Sequence, residues 1–347
     1  MVKKTAILLL AICLLLSGCD FWSNGSYHSV TPHIDYYNKT PNTTVVIQEY
    51  DQLQSNVEAM IKQGAESNVF SLQQVAAGLR QGELDAMIKK ICSNYPLAIY
   101  GVKDIRYEFG VTGGPRAVSI DITYWQNCAK GEQIKQVENE EQLQEYLRSC
   151  LNTCEPRLVV YLDASLTVNY QQMVRNYAAE YPQYVMEIPK VTAKFYPEQG
   201  EKQVVELTFA YQTNPDELRM LQGKVARVFY SAFQHSSGEA TDQKKAEKLY
   251  DFLMNRYEYV YQTTITPSYS LLLQGTGDSR TMAESYSAMC RQVNVSCRTV
   301  TGKRNGITWT WNVVEIDGES YHLDLIYCKD KEEFILRTSE EMTEYTW

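Results

Sequence analysis

Residues 271–324 constrain this chain more than any other stretch, because turn, helix and strand signals follow one another there without a gap. Leu271, Leu272 and Leu273 lead into Gly275-Thr276-Gly277-Asp278-Ser279. Met282, Tyr286, Met289, Cys290 and Val293 then recur at three- and four-residue spacing, the period of one helix face, which puts Ser279 at the helix start. A strand over 295–301 follows. Strands over 309–315 and 321–327 flank Asp317-Gly318, a dipeptide suited to a type I′ hairpin.

This order of elements resembles the transglutaminase-like family, a branch of the papain-like cysteine hydrolases. The family pattern is a Gly-x-Gly-x-Cys at a helix start, a His-x-Trp-Asn on the next strands and an Asp beyond the following turn. The frame stands here as Gly275-Thr276-Gly277-Asp278-Ser279, Trp309-Thr310-Trp311-Asn312 and Tyr321-His322-Leu323-Asp324. Carried over by position, Ser279 takes the place of the nucleophilic Cys and Trp309 that of the general-base His, while Asp324 is kept. The resemblance covers residues 214–347 and implies a transglutaminase-like α+β domain there.

Two of the three chemical groups are therefore missing. A cysteine at a helix N-terminus beside an imidazolium supplies a thiolate near neutral pH. A serine hydroxyl must instead lose its proton to a base during attack, and an indole N–H only donates. The resulting expectation is a pseudoenzyme with degenerate positions Ser279, Trp309 and Asp324, in which Trp309, Trp311, Ser279 and Asp324 line a groove for a peptide or cell-wall glycan. Trp309 reads equally well as a ring filling that groove. A competing enzymatic reading uses His322: residues two apart in a strand share a face, so Ser279, His322 and Asp324 would supply nucleophile, base and orienter of a hydrolase or acyltransferase. Cys290 follows Ser279 by about three helical turns on the same face and reads as a buried structural thiol.

Residues 1–18 carry Lys3 and Lys4, an apolar run and then Leu16-Ser17-Gly18 ahead of Cys19. The pattern predicts a bacterial lipoprotein signal with Cys19 acylated, palmitate among its chains, as the mature N-terminus. The apolar run is shorter than the roughly 20 residues that span a bilayer. Membrane attachment through lipid at the extracytoplasmic face of the cell membrane follows as an expectation. The formal charge is −9, and removal of residues 1–18 takes away two lysines and no acid, giving −11. Such an acidic surface argues against nucleic acid as a partner. Cys92, Cys128, Cys150, Cys154, Cys290, Cys297 and Cys328 remain, with no Cys-x-x-Cys and no histidine clustered near them, so neither metal nor cofactor is expected.

Residues 19–42 lack periodicity and read as a tether. Two similar stretches follow, offset by about 86 residues. In the first, a helix through Leu84, Met87 and Ile91 reaches Tyr95-Pro96, ahead of strands over 99–109 and 118–125 around Gly113-Gly114. In the second, a helix through Met173 and Tyr177 reaches Tyr181-Pro182, ahead of strands over 185–196 and 204–211 around Gly200. Each stretch also holds an earlier helix and strand. The predicted architecture is α+β: modules over 43–128 and 129–213, the second repeating the first, then the transglutaminase-like domain over 214–347, opened by the Asn214-Pro215-Asp216-Glu217 helix start.

Overall fold

A computed structural model of the chain describes residues 45–111, 116–125, 133–166, 168–261 and 267–347. The signal sequence, the tether, Cys19, Cys128 and the Gly113-Gly114 turn lie outside the described residues.

The first module runs β1 (Val45–Ile47), α1 (Tyr50–Gln63), β2 (Ser67–Leu72), α2 (Gln81–Asn94), α3 (Pro96–Gly101), β3 (Val102–Val111) and β4 (Arg116–Tyr124). Its sheet has the order β1-β2-β4-β3. The second runs β5 (Lys135–Gln136), α4 (Glu140–Thr153), β6 (Arg157–Asp163), α5 (Tyr170–Glu180), β7 (Lys190–Tyr196) and β8 (Lys202–Ala210), with the matching order β5-β6-β8-β7. Two tandem α+β modules thus share one topology.

Alternation explains the packing of β4, where Val118, Ile120 and Ile122 are all buried. Strand β6 differs, because Leu158 to Leu162 are buried without a break and so both faces of its sheet are covered. Leu158, Val160, Val205 and Leu207 pack with helical Leu143, Leu147 and Val174. Val159, Tyr161 and Val204 pack on Tyr100 of α3, which joins the two modules. The Arg157 guanidinium, paired with Glu206 at 2.7 Å, also donates to the Tyr100 hydroxyl.

Within the two modules, two strand starts depart from the sequence reading. Pro96 does not lead into a strand: its fixed φ suits the first helical position, and it opens α3, so Ile99 is helical and β3 starts at Val102. Residues 185–189 are likewise irregular, and β7 starts at Lys190 after Pro189, which has no N–H for a ladder.

The remaining elements are α6 (Pro215–Ser236), α7 (Asp242–Met254), β9 (Glu258–Tyr259), α8 (Tyr269–Gln274), β10 (Thr276–Gly277), α9 (Ser279–Gln292), β11 (Cys297–Arg304), β12 (Ile307–Ile316), β13 (Glu319–Leu323), α10 (Leu325–Lys331) and β14 (Tyr345–Thr346). Asn214 caps α6, its side chain accepting from Asp216 N–H at 2.8 Å, with Pro215 next. The antiparallel sheet has the order β13-β12-β11-β14. Helix α9 packs on it and on α7, and its Tyr286 hydroxyl donates to the Ala246 carbonyl at 2.8 Å inside the core. Asp317 and Gly318, with φ of 53° and 85°, form the predicted tight turn between β12 and β13. The predicted strand over 321–327 stops at Leu323. Asp324 instead caps α10, its carboxylate accepting from the N–H groups of Ile326 and Tyr327. Among the described residues no helix is long and apolar enough to cross a membrane.

Candidate functional site

The Gly275–Gly277 loop fixes where α9 begins. Glu258 N–H donates to Gly275 O and Val260 N–H to Gly277 O, both at 2.9 Å, so β9 holds the loop in parallel pairing. A side chain at Gly277 would meet Thr281 Oγ1 at 2.4 Å and Leu271 Cδ1 at 2.8 Å, so the close approach of loop and helix requires glycine. Asp278 then caps α9 by accepting from Thr281 N–H at 2.8 Å. Ser279 is the first helical residue, half-buried at the positive end of the helix dipole.

What faces Ser279 is backbone. Its Oγ accepts the Thr310 N–H at 3.3 Å. Among the described residues no imidazole or carboxylate hydrogen-bonds this hydroxyl.

Trp309, which the sequence resemblance sets at the position of the family's base, lies on β12 and is only 8% exposed. Its indole Nε1–H donates to Asp324 Oδ2 at 2.8 Å. Tyr259 packs against the ring with centroids 5.5 Å apart, and the Arg304 guanidinium lies 5.2 Å from the ring centroid. Asp324 has a side chain 1% exposed and is satisfied from all sides. Oδ1 accepts from Ile326 N–H at 2.9 Å and Tyr327 N–H at 3.1 Å. Oδ2 accepts from Trp309, from the Tyr345 hydroxyl at 2.5 Å and from Arg304 Nη1 at 3.4 Å. Burial, then the Asp324 carboxylate, pushes the Tyr345 phenol far above its ordinary range, which keeps it a donor.

Trp311 and His322 form a separate pair. The Trp311 Nε1–H donates to His322 Nδ1 at 2.8 Å. An indole N–H cannot accept, so the proton of the neutral imidazole sits on Nε2 and is donated to Ser339 Oγ, 3.0 Å away. Burial, followed by Arg298 and Arg337, lowers the His322 pKa and keeps the ring neutral. The structure thus joins Trp309 to Asp324 and Trp311 to His322. It does not join His322 to Ser279 or to Asp324, because the strand alternation that would have aligned His322 with Asp324 ends at Leu323.

As for a groove, Trp309 and Trp311 are both buried, Trp311 under Tyr345 and Trp347 with centroids at 5.0 and 5.6 Å. Cys290 is wholly buried, and burial pushes its thiol well above the ordinary range, away from any nucleophilic role. Among the described residues no three His, Cys, Asp or Glu side chains group to hold a metal ion.

Sequence reasoning missed Arg304 and Tyr345, which complete the shell around Asp324, and Glu284. The Glu284 carboxylate is buried on α9, accepts from the Ser268 hydroxyl and pairs with Arg280 at 3.0 Å. Burial raises its pKa against the pull of Arg280. Its i,i+4 spacing from Arg280 was a readable signal. Nothing local pointed to Tyr345.

Residues 231–324 match the model of the transglutaminase-like superfamily, a span that starts inside α6 and ends on Asp324. The chain therefore carries a transglutaminase-like domain there. Solved structures similar to the chain include a TGase (8% identity, TM-score 0.28, 55% of this chain and 58% of that one). A candidate cysteine protease from Cytophaga hutchinsonii is 14% identical, with a TM-score of 0.27 over 43% of this chain and 65% of that one. A candidate protease from Parabacteroides distasonis is 10% identical, with a TM-score of 0.26 over 61% and 47%. The chain thus spans about half to two-thirds of the length of these structures. No curated protein matches it.

Proposed function

We propose that this chain is a lipid-anchored extracytoplasmic protein whose transglutaminase-like domain binds a peptide or cell-wall ligand without catalysing acyl transfer or hydrolysis. The observation that carries the non-catalytic reading is the Trp309–Asp324 hydrogen bond: the position of the base holds a donor-only ring whose single N–H is already committed to the orienting carboxylate. Ser279 keeps the helix-start position of a nucleophile, but the group bonded to it is the Thr310 N–H, which takes no proton. A hydrolase built on Ser279, His322 and Asp324 would require His322 to leave both Trp311 and Ser339.

The test of the catalytic half is reaction with a serine-directed fluorophosphonate, followed by peptide mass analysis. Ser279 is expected to stay unmodified on the timescale on which a free serine derivative does. Fast labelling at Ser279 that is lost in His322→Gln would establish the competing triad. The anchor is supported by Leu16-Ser17-Gly18-Cys19 after an apolar run. Cells given an acyl analogue are expected to label the protein but not Cys19→Ala; label persisting in that variant would refute the anchor.

A further inference from the structure

The buried state of Trp309 leaves open where a ligand would sit. A cavity of about 890 Å³ lies between the second module and the transglutaminase-like domain, and its lining does not include Ser279, Trp309 or Asp324. The volume falls within the range of about 300 to 1,000 Å³ usual for ligand sites, and such sites favour the seams between folded units. Ala178, Val185, Ile188 and Pro189 give it apolar wall, and Gln172 and Asn176, whose amides bond to each other at 2.8 Å, add polar lining.

Its charges are unevenly satisfied. Glu187 accepts from Gln212 N–H at 2.5 Å and Thr213 N–H at 3.0 Å, and Glu284 is held by Ser268 and Arg280, so both carboxylates of the lining are in use. Arg175 and Lys190 also line it, and among the described residues neither side chain makes a hydrogen bond or ion pair, their backbones being held in α5 and in the β7–β8 ladder. Gln171 and Gln172 of the lining lie in the first turn of α5, where the helix dipole favours negative charge. A cavity whose two unmatched charges are both positive stands out in a chain of net charge −9.

We propose that this cavity binds an acidic peptide, with Arg175 and Lys190 receiving its carboxylates and the wall from Ala178 to Pro189 receiving its apolar groups. The proposal rests on the binding half of the function above and names a different surface for it. Fluorescence anisotropy of the full chain with a labelled pentaglutamate, and with the pentaglutamine of the same length, tests it. The glutamate peptide is expected to bind about tenfold or more tightly than its neutral counterpart, with affinity falling as salt rises. Arg175→Glu with Lys190→Glu is expected to abolish that preference while leaving the unfolding midpoint unchanged, since both side chains are exposed. Equal affinity for the two peptides, or a preference surviving the double charge reversal, would overturn the proposal. So would displacement of the glutamate peptide by a neutral chitin oligosaccharide, which would assign the cavity to glycan. None of these outcomes bears on whether Ser279 reacts, so the two proposals fail separately.

Discussion

The Asp324 carboxylate gathers two backbone N–H groups, an indole, a phenol and a guanidinium in a site closed to solvent. A buried charge is tolerated when so many donors replace its water. Trp309 contributes both a donor and the lid over this cluster. Trp309→Ala is expected to cost about 3 to 5 kcal/mol, because it opens a cavity beneath Arg304 and Tyr259 and removes one donor from Asp324. Trp309→Phe, which keeps most of the apolar area, should cost less, and urea unfolding of the two variants separates packing from hydrogen bonding. A near-neutral Trp309→Ala would show that the ring is not part of the core. At His322 the sign of the pH effect is fixed by its lowered pKa. The folded state binds fewer protons there than the unfolded chain, so the stabilisation is present above the unfolded value near 6.5 and is lost as pH falls through the folded value. Unfolding free energies at pH 7 and pH 5 should therefore drop more in the parent than in His322→Gln. The comparison between variants matters because Glu284, with its raised pKa, contributes in the opposite direction. An equal drop in both would remove His322 from the linkage.

Among the elements, those defined by local signals were legible and those defined by return of the chain were not. Ser279 at a helix start follows from Gly275 and Gly277, with Gly275 at φ 87°, and from the apolar period of α9. Asp317-Gly318 gave its hairpin for the same local reason. The Asn305-Gly306 pair carries an equivalent signal, with φ of 51° and 83°, and joins β11 to β12; ending the first strand at Thr301 overlooked it and with it the position of Arg304. Strand β14 had no comparable mark. It pairs Tyr345 with Arg304 and Thr346 with Lys303, which brings the Tyr345 hydroxyl to Asp324. Gly302 makes room for it: a Cβ there would lie 2.2 Å from the Thr346 carbonyl oxygen. A glycine inside a strand signals such a close approach, but it does not say which segment approaches. The strand predicted over 321–327 includes Asp324 and aligns it with His322. The capping bonds to Ile326 and Tyr327 end that strand and separate Asp324 from His322.

Across the whole molecule, the repeat was legible because both modules keep the same order of helices and strands apart from the short α3 of the first, and their sheets share one strand order. How the modules meet was not, since Tyr100, Arg157 and Val204 come from distant parts of the sequence and Arg157 has an ordinary surface character until it is paired. The cavity that includes Arg175, Lys190 and Glu284 arises from the same kind of long-range approach. The function proposed above rests on a transglutaminase-like domain in which Trp309 is packed in the core and Asp324 caps a helix, so that neither is free for acyl-transfer chemistry. That claim is tested most directly by amine incorporation into a glutamine donor, together with peptide and amide hydrolysis, using the full chain and Ser279→Ala in parallel. No turnover above the uncatalysed rate is expected in either protein. Turnover in the parent that disappears in Ser279→Ala would contradict the claim.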